Sequence, residues 1–417
     1  MSKLRSEFKT SSQDGAANRP FARRYAKTVR MTCLFTLEIT TGKEEVALGT
    51  PYWTSIVRHE PALDGLRAIA VGAVVCYHAW GWRAPGGWIG VDIFFVLSGY
   101  LITTIMLSEI KVTHTVSLKS FYFRRILRLA PAFAALLAVM LLESAISRNP
   151  IKNLQSIAIS ATYLMNWNRA FAWWPQGALG HTWSLAMEEQ FYLIWPLFLI
   201  FLLKLRNAEG ILVFTIVAVA GWRAFLVSRG AAVERTYNGF DTHSDGLLMG
   251  CLLAFLIVGD TLPKMFYLAD RFVIVPVLTI SVSILTVHYD WRFTQTVGLT
   301  LSAVMSAWII SATLTNEKLR ACLSWRPLVF TGRISYGWYL WHYPIITIFS
   351  ARIFHHGFIV LVLIAYVMAA LSYKYIERPV LLLKRRFGSA LITDEIHLRP
   401  APVSAAIPDR GAHSPQA

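Results

Sequence analysis

Apolar residues dominate this chain in long runs rather than in strict alternation, and short polar stretches rich in Lys and Arg separate the runs. A helix that crosses the hydrocarbon core of a bilayer needs about 20 mainly apolar residues. Ten runs approach that length: 64–81, 88–108, 131–147, 184–203, 210–229, 244–259, 271–288, 295–315, 333–352 and 357–377. The pattern predicts an all-α, polytopic integral membrane protein with about ten transmembrane helices. The run 155–168 is shorter and ends at Asn166 and Asn168, so it is expected to form a short interfacial or re-entrant helix. Three regions follow: a polar tail over 1–60, expected to be disordered or poorly ordered and cytoplasmic; a transmembrane domain over 61–387; and a second disordered cytoplasmic tail, rich in Pro, Ala and Ser, over 388–417.

The cations set the orientation. Cytoplasmic loops carry the excess of Lys and Arg in membrane proteins. With ten spans and an inner N-terminus, the inner loops hold Lys111, Lys119, Arg124, Arg125, Arg128, Lys204, Arg206, Lys264, Lys318, Arg320, Arg326 and Arg333, and Lys384, Arg385 and Arg386 follow the last span. The outer loops hold Arg83, Arg148, Lys152, Arg169, Arg235, Arg292 and Arg352. Counting 155–168 as a span would invert every later loop and weaken this bias, so both termini are expected in the cytoplasm.

Composition agrees. Of 417 residues, 55% are hydrophobic and 15% charged, with 40 Lys+Arg against 24 Asp+Glu for a net charge of +16. That charge content is below the roughly 25% of soluble domains, which argues against a soluble enzyme. It also excludes nucleic acid as a partner, because a nucleic-acid surface needs charge density; membrane lipids are the expected surroundings. Cys33, Cys76, Cys251 and Cys322 show no metal or redox spacing, and no metal is expected.

A charge at the centre of a span costs roughly 3 kcal/mol, so those present invite explanation. Arg67 and His78 share the first span, 11 positions apart, about 16 Å and close to three helical turns. A cation at the inner mouth suits an anionic, phosphate-bearing ligand, and an imidazole deeper in suits proton transfer. The structural alternative has Arg67 snorkelling to lipid phosphates and His78 bonded between helices. After the second span, Arg124 and Arg128 stand at i and i+4 with Arg125 between them. They are placed to clamp phosphates or, more simply, to flank the membrane. The fourth span opens His181-Thr182-Trp183-Ser184 and continues to Glu188-Glu189-Gln190-Phe191-Tyr192. Two adjacent carboxylates near a His are not lipid-facing chemistry. A Ser-His-Glu hydrolase lacks its strand–Gly-x-Ser-x-Gly–helix setting. His342 lies mid-span among aromatics, where a structural hydrogen bond is the plain reading, and Glu377 is placed to pair with inner arginines. His355 and His356 are loop neighbours with no metal role.

In order along 61–387 these motifs resemble the membrane acyltransferase-3 family. They are Leu63-Asp64-Gly65-Leu66-Arg67 with His78, Gly90-Val91-Asp92 through Ser98-Gly99-Tyr100, and Arg124/Arg125/Arg128 with Pro131. His181 through Tyr192, Ser335-Tyr336 to His342, and Ser372-Tyr373 to Glu377-Arg378-Pro379 complete the series. A departure is His243, where many relatives carry Arg. The resemblance implies an integral membrane O-acyltransferase whose donor substrate is cytoplasmic acyl-CoA, commonly acetyl-CoA, and whose acceptor is a hydroxyl of a glycan or glycolipid at or beyond the outer face. It implies catalytic roles for His78, Glu188 and Glu189. It implies substrate-binding roles for Arg67, Arg124, Arg125, Arg128, Asp92, Ser98, His181, Ser184, Tyr336 and His342. His78 would be a general base or a transient acyl carrier. With about 30 residues after the homologous region, a stand-alone transmembrane form is expected. The rival reading is a transporter or flippase of a glycan or small anionic solute, since intramembrane His, Arg and Glu also mark transport pathways, but no inverted repeat or matched broken helices accompany them.

Overall fold

Pro61 opens the first helix at a position where its missing N–H has no helical partner to lose, and the Glu60 carboxylate accepts from the Ala62 amide as the cap (3.3 Å). The computed structural model describes residues 59–259, 271–350 and 357–382, and no strand occurs among the described residues. The helices are α1 (Pro61–Trp80), α2 (Ile89–Thr113), α3 (Leu118–Ile146), α4 (Pro150–Ala161), α5 (Met165–Phe171), α6 (Trp183–Leu202), α7 (Ala208–Ser228), α8 (Val233–Asn238), α9 (Phe240–His243), α10 (Asp245–Val258), α11 (Ile274–Thr286), α12 (Leu299–Thr315), α13 (Glu317–Leu323), α14 (Arg326–Arg333), α15 (Ser335–Phe349) and α16 (Phe358–Ser372). A 3₁₀ turn over Gly177–Thr182 leads into α6, and π-helical turns over Thr294–Gly298 and Tyr373–Glu377 precede α12 and follow α16.

Seven helical segments are long and apolar enough to cross a membrane: Pro61–Trp80, Ile89–Thr113, Leu118–Ile146, Gly177–Leu202, Ala208–Ser228, Thr294–Thr315 and Phe358–Leu382. This is a multi-pass, all-helical protein. The other three runs expected to span hold α10, α11 and α15, of 14, 13 and 15 residues. At 1.5 Å per residue these are shorter than a 30 Å hydrocarbon core. The 155–168 run folds as the end of α4 and the start of α5, both too short to span. Helix α3 starts 13 residues before the expected third span, so Arg124, Arg125 and Arg128 stand on a membrane helix rather than in a loop. The tail expectations (apart from residues 59 and 60), Cys33, Lys264, Arg352, His355, His356 and Lys384 to Arg386 lie outside the described residues.

Helices α1 and α2 form the centre: 67% and 72% of their apolar windows are buried, against 17% for α7 and 22% for the segment containing α16. The outer helices therefore turn apolar rows outward, such as Val213, Phe214 and Val217 on α7. No hydrophobic force distinguishes a neighbouring helix from lipid, so close backbone approach through small residues provides the contact. Helices α2 and α10 meet this way. A side chain at Gly99 would strike the Leu247 carbonyl, and one at Gly250 would strike the Val96 carbonyl and the Tyr100 amide.

Away from lipid, one buried cation is fully matched. The fully buried Arg223 guanidinium donates to the Gln295 carbonyl (3.1 Å), the Thr242 carbonyl (2.6 Å), Thr300 Oγ1 (2.6 Å) and Asp245 Oδ2 (3.0 Å). Gln295 belongs to the π-helical turn, a departure from α geometry that often marks a special requirement. Beside this network Asp92 accepts from Ser302 Oγ (2.5 Å) and meets His243 Nε2 (3.0 Å), while His243 Nδ1 donates to the Tyr237 carbonyl (2.7 Å). With Nδ1 committed as a donor, the Asp92–His243 contact needs a proton on the imidazole or on the carboxyl.

Removing one member of a buried ion pair costs about 3–5 kcal/mol, whereas replacing both by apolar groups is often near neutral. Arg223→Leu is expected to lower the thermal midpoint in detergent steeply, and Arg223→Leu with Asp245→Leu to recover most of the loss. Equal melting of the single and double variants would show that the pair does not act as a unit.

Candidate active site

Helix α1 carries the two groups singled out by its sequence at opposite ends: Arg67 on its second turn and His78 on its last. The two ends open onto different surroundings.

At the Arg67 end lies a cavity of about 720 Å³ walled by Arg67, Arg125, Arg128, Ser98, Ser184, Glu188, Tyr192, Tyr336 and Tyr339, with apolar side chains from α2, α3 and α6. Three guanidiniums face one carboxylate. Arg67 is held by Asp64 (3.0 Å), which also meets His59 (2.8 Å) and, more distantly, Arg333 (3.8 Å). Arg125 lies flat over the Tyr192 ring, 3.4 Å from its centroid, and its buried Nε has no hydrogen-bond partner. Glu188 accepts a short hydrogen bond from Ser98 Oγ. The Tyr336 hydroxyl donates to the Leu129 carbonyl (3.0 Å), tying α15 to α3. The expected pairing of Arg124 with Arg128 is corrected here: Arg124 turns to Glu109 (3.5 Å), and Arg125 and Arg128, at i and i+3, are the pair that lines the cavity.

At the other end, His78 from α1, His181 from the 3₁₀ turn and His342 from α15 come together. His78 Nδ1 and His342 Nε2 are 2.9 Å apart. His342 Nδ1 faces two carbonyl oxygens, of Tyr339 (2.7 Å) and Trp338 (3.1 Å). Carbonyls only accept, so His342 Nδ1 carries the proton. In neutral imidazole its Nε2 is then an acceptor, and His78 Nδ1 must be the donor. That chain of donors leaves the lone pair of neutral His78 on Nε2. His342 and His181 are sealed from solvent, but His78 is partly accessible, as are Tyr77 and Tyr343 beside it. The His181 ring packs against those of Tyr339, His342 and Tyr343, and neither of its nitrogens has a partner in hydrogen-bonding geometry.

Cavity and imidazoles do not share a wall through His78. Tyr339 stands between them: its hydroxyl donates to the His181 carbonyl (2.5 Å) and lies 2.6 Å from Ser184 Oγ. Ser184 therefore pairs with a tyrosine rather than with His181, so no serine–histidine couple is formed. Glu188 and Glu189 make no hydrogen bond to any of the three histidines. Glu188 belongs to the arginine cavity, and Glu189 lies near Arg125 and Tyr163 with Oε1 buried and unbonded. Burial and the Glu189 charge push the Tyr163 phenol up to about 12. Asp92, expected to touch substrate, sits in the buried contact with His243 and Ser302, off the cavity. Glu377 bonds Ser372 (3.3 Å) within electrostatic reach of Arg128.

Tyr339 and Tyr192 were not singled out by the sequence reading. Tyr339 lies three residues after Tyr336 and three before His342, the spacing of one helix face, and that is the signal by which it is found. Arg169, counted only as an outer-loop charge, reaches this region from α5, with Nη1 donating to the Gly180 carbonyl (3.2 Å). No group of three or more potential metal-ligating side chains occurs among the described residues.

Comparison with known proteins places this geometry. A family model described as an acyltransferase domain matches residues 60–373. The chain is 36% identical over 351 residues to peptidoglycan O-acetyltransferase OatA of Listeria monocytogenes, covering 78% of this chain and 56% of that protein. It is 36% identical over 356 residues to putative peptidoglycan O-acetyltransferase YrhL of Bacillus subtilis, covering 78% and 55%. It is 35% identical over 350 residues to O-acetyltransferase OatA of Staphylococcus aureus, covering 78% and 57%. The chain thus spans just over half the length of these curated relatives. No solved structure matches it.

The tautomer chain is open to direct measurement. Side-chain ¹⁵N spectra of histidine-labelled protein are expected to show His342 as the Nδ1–H form and His78 likewise, and His342→Phe, which removes the acceptor, to release His78 toward a mixture. An Nε2–H form of His78 in the unsubstituted protein would refute the assignment.

Proposed function

This chain belongs to the membrane acyltransferase-3 family, and on that footing we propose that it is an O-acyltransferase moving an acyl group, with acetyl the first candidate, from cytoplasmic acyl-CoA to a hydroxyl of an exported or cell-surface glycan. The names of its relatives make peptidoglycan the first acceptor to test. The reading includes ten membrane crossings in a bacterial inner membrane with both termini in the cytoplasm, the short helices α10, α11 and α15 crossing together with their flanking residues.

The observation that carries it is the polarity of α1, with an arginine-lined cavity at one end and, at the other, a partly accessible imidazole whose Nδ1 is engaged by His342. Guanidiniums bind phosphate oxygens in planar, often bidentate contacts, and Arg67, Arg125 and Arg128 would receive the phosphates of the donor from the inner side. The acyl arm would run along α15, past Ser184 and Tyr339, toward His78. There the acceptor hydroxyl gives its proton to His78 Nε2 as its oxygen attacks the thioester carbonyl. The carbon–sulfur bond breaks, and the departing thiolate takes up a proton. His342, held by two carbonyls, fixes the ring orientation that exposes Nε2, a second imidazole in the place a carboxylate often fills.

A general base contributes about 10²–10⁴-fold. Membranes incubated with labelled acetyl-CoA and extracted glycan are expected to lose transfer by that factor with His78→Ala at normal insertion. Arg125→Gln with Arg128→Gln is expected to raise KM for acetyl-CoA about tenfold or more with little change in kcat, since a hydrogen bond to a charged group contributes about 1.5–3 kcal/mol. Retained transfer in His78→Ala would remove the base role, and an unchanged KM would remove the arginine site.

A further inference from the structure

The cation that the mechanism above leaves unused is Arg169. It is carried by α5, a seven-residue helix that is firmly anchored: Asn168 bonds both the amide (2.8 Å) and the carbonyl (3.0 Å) of Trp174, and Gln190 of α6 donates to Asn166 Oδ1 (2.9 Å) and to the Tyr163 carbonyl (2.8 Å). Asn166 and Asn168 are both fully buried. Arg169 is thus presented on a rigid support.

Its partners do not account for its charge. Arg67, Arg124, Arg223 and Arg235 each meet a carboxylate. Arg169 meets none within ion-pair distance among the described residues; its Nη1 bonds the Gly180 carbonyl, and its Nε is buried without a partner. A half-buried guanidinium left so forgoes the compensation that buried charges ordinarily require. Glu234 and Asp290, acidic residues of neighbouring segments, are exposed.

Arg169 stands beside the His78 end of α1. The Gly180 carbonyl that it bonds belongs to the residue before His181, the His181 ring packs on those of His342 and Tyr343, and Tyr343 packs on His78. His78, Tyr77, Tyr343 and Arg169 are all partly accessible, while His342 and His181 are sealed. The cluster sets a cation beside phenols and an imidazole, with no carboxylate within ion-pair distance of Arg169 among the described residues.

We propose that Arg169 is an anion site for the acceptor: it takes a carboxylate or phosphate oxygen carried by the incoming saccharide and holds that molecule with a hydroxyl toward His78. The enzyme then selects acidic over neutral acceptors, which names a property of the substrate that the transferase reading leaves open; the inference rests on that reading for the word acceptor, and on Arg169's surroundings for the anion.

The test uses the full chain in nanodiscs of zwitterionic lipid, with calorimetric titration of a glucuronate-containing disaccharide, its methyl ester and a sugar phosphate. The acid or the phosphate is expected to bind about tenfold or more tightly than the ester, the factor a charge-assisted hydrogen bond provides; the tighter of the two names the group. Arg169→Gln is expected to equalise acid and ester, and Arg169→Lys to keep part of the preference. Equal binding of acid and ester by the unsubstituted protein, which needs no variant to fold, overturns the proposal. So does loss of the acid preference when phosphatidylglycerol replaces the zwitterionic lipid, which would assign Arg169 to a lipid headgroup. Acid-selective binding without acyl transfer would keep the anion site and remove the transferase reading. Transfer with no acid preference would do the reverse.

Discussion

An ionised side chain in the interior of this bundle has neither water nor lipid to solvate it, so it must be neutralised or hydrogen-bonded by the protein itself. That requirement organises the molecule. Where the charge serves the fold it is met completely, as at Arg223, whose guanidinium reaches Asp245, a threonine hydroxyl and two carbonyls, and whose needs extend to a π-helical turn that brings the Gln295 carbonyl to it. Where the partners fall short, as at the Nε atoms of Arg125 and Arg169, the guanidinium is either at the wall of the cavity or partly accessible.

The same economy of partners sets the chemistry of His78. No carboxylate bonds it, so its orientation depends on a second imidazole, and that imidazole depends on two backbone carbonyls of the helix in which it sits. The two imidazoles are thus oriented by backbone carbonyls rather than by a carboxylate. Tyr339 joins this region to the cavity by one helical turn on each side of itself, with its hydroxyl shared between Ser184 and the backbone of His181.

Close packing makes the arrangement possible. The central helices α1 and α2 carry motif glycines, and at Gly99 the backbone of α10 approaches too closely for any side chain. The motif that reads as Ser98-Gly99-Tyr100 thus holds two unlike parts: Ser98 bonds Glu188 at the cavity, and Gly99 lets a neighbouring helix in. Asp92, six residues earlier, belongs to the packing side with His243, although the family resemblance implied a substrate-binding role for it.

The membrane character and the helical class were legible from the chain because apolar length marks a span, and Arg67, His78, the arginine run and the 181–192 segment stood out because charge inside a membrane is costly. The number of crossings was less legible, since an apolar run gives the length of a stretch but not where a helix ends within it, as α10 and α11 show. Which arginine of Arg124 and Arg125 enters the cavity depends on Glu109 standing in reach of the first and Tyr192 beneath the second, and both partners come from other helices. The His78–His342 pair spans 264 positions, and Arg169 comes to the same region from the short helix α5, through the carbonyl of Gly180. Local sequence determines which groups are costly to bury; only the packing of distant helices decides which of those costs are met within the protein.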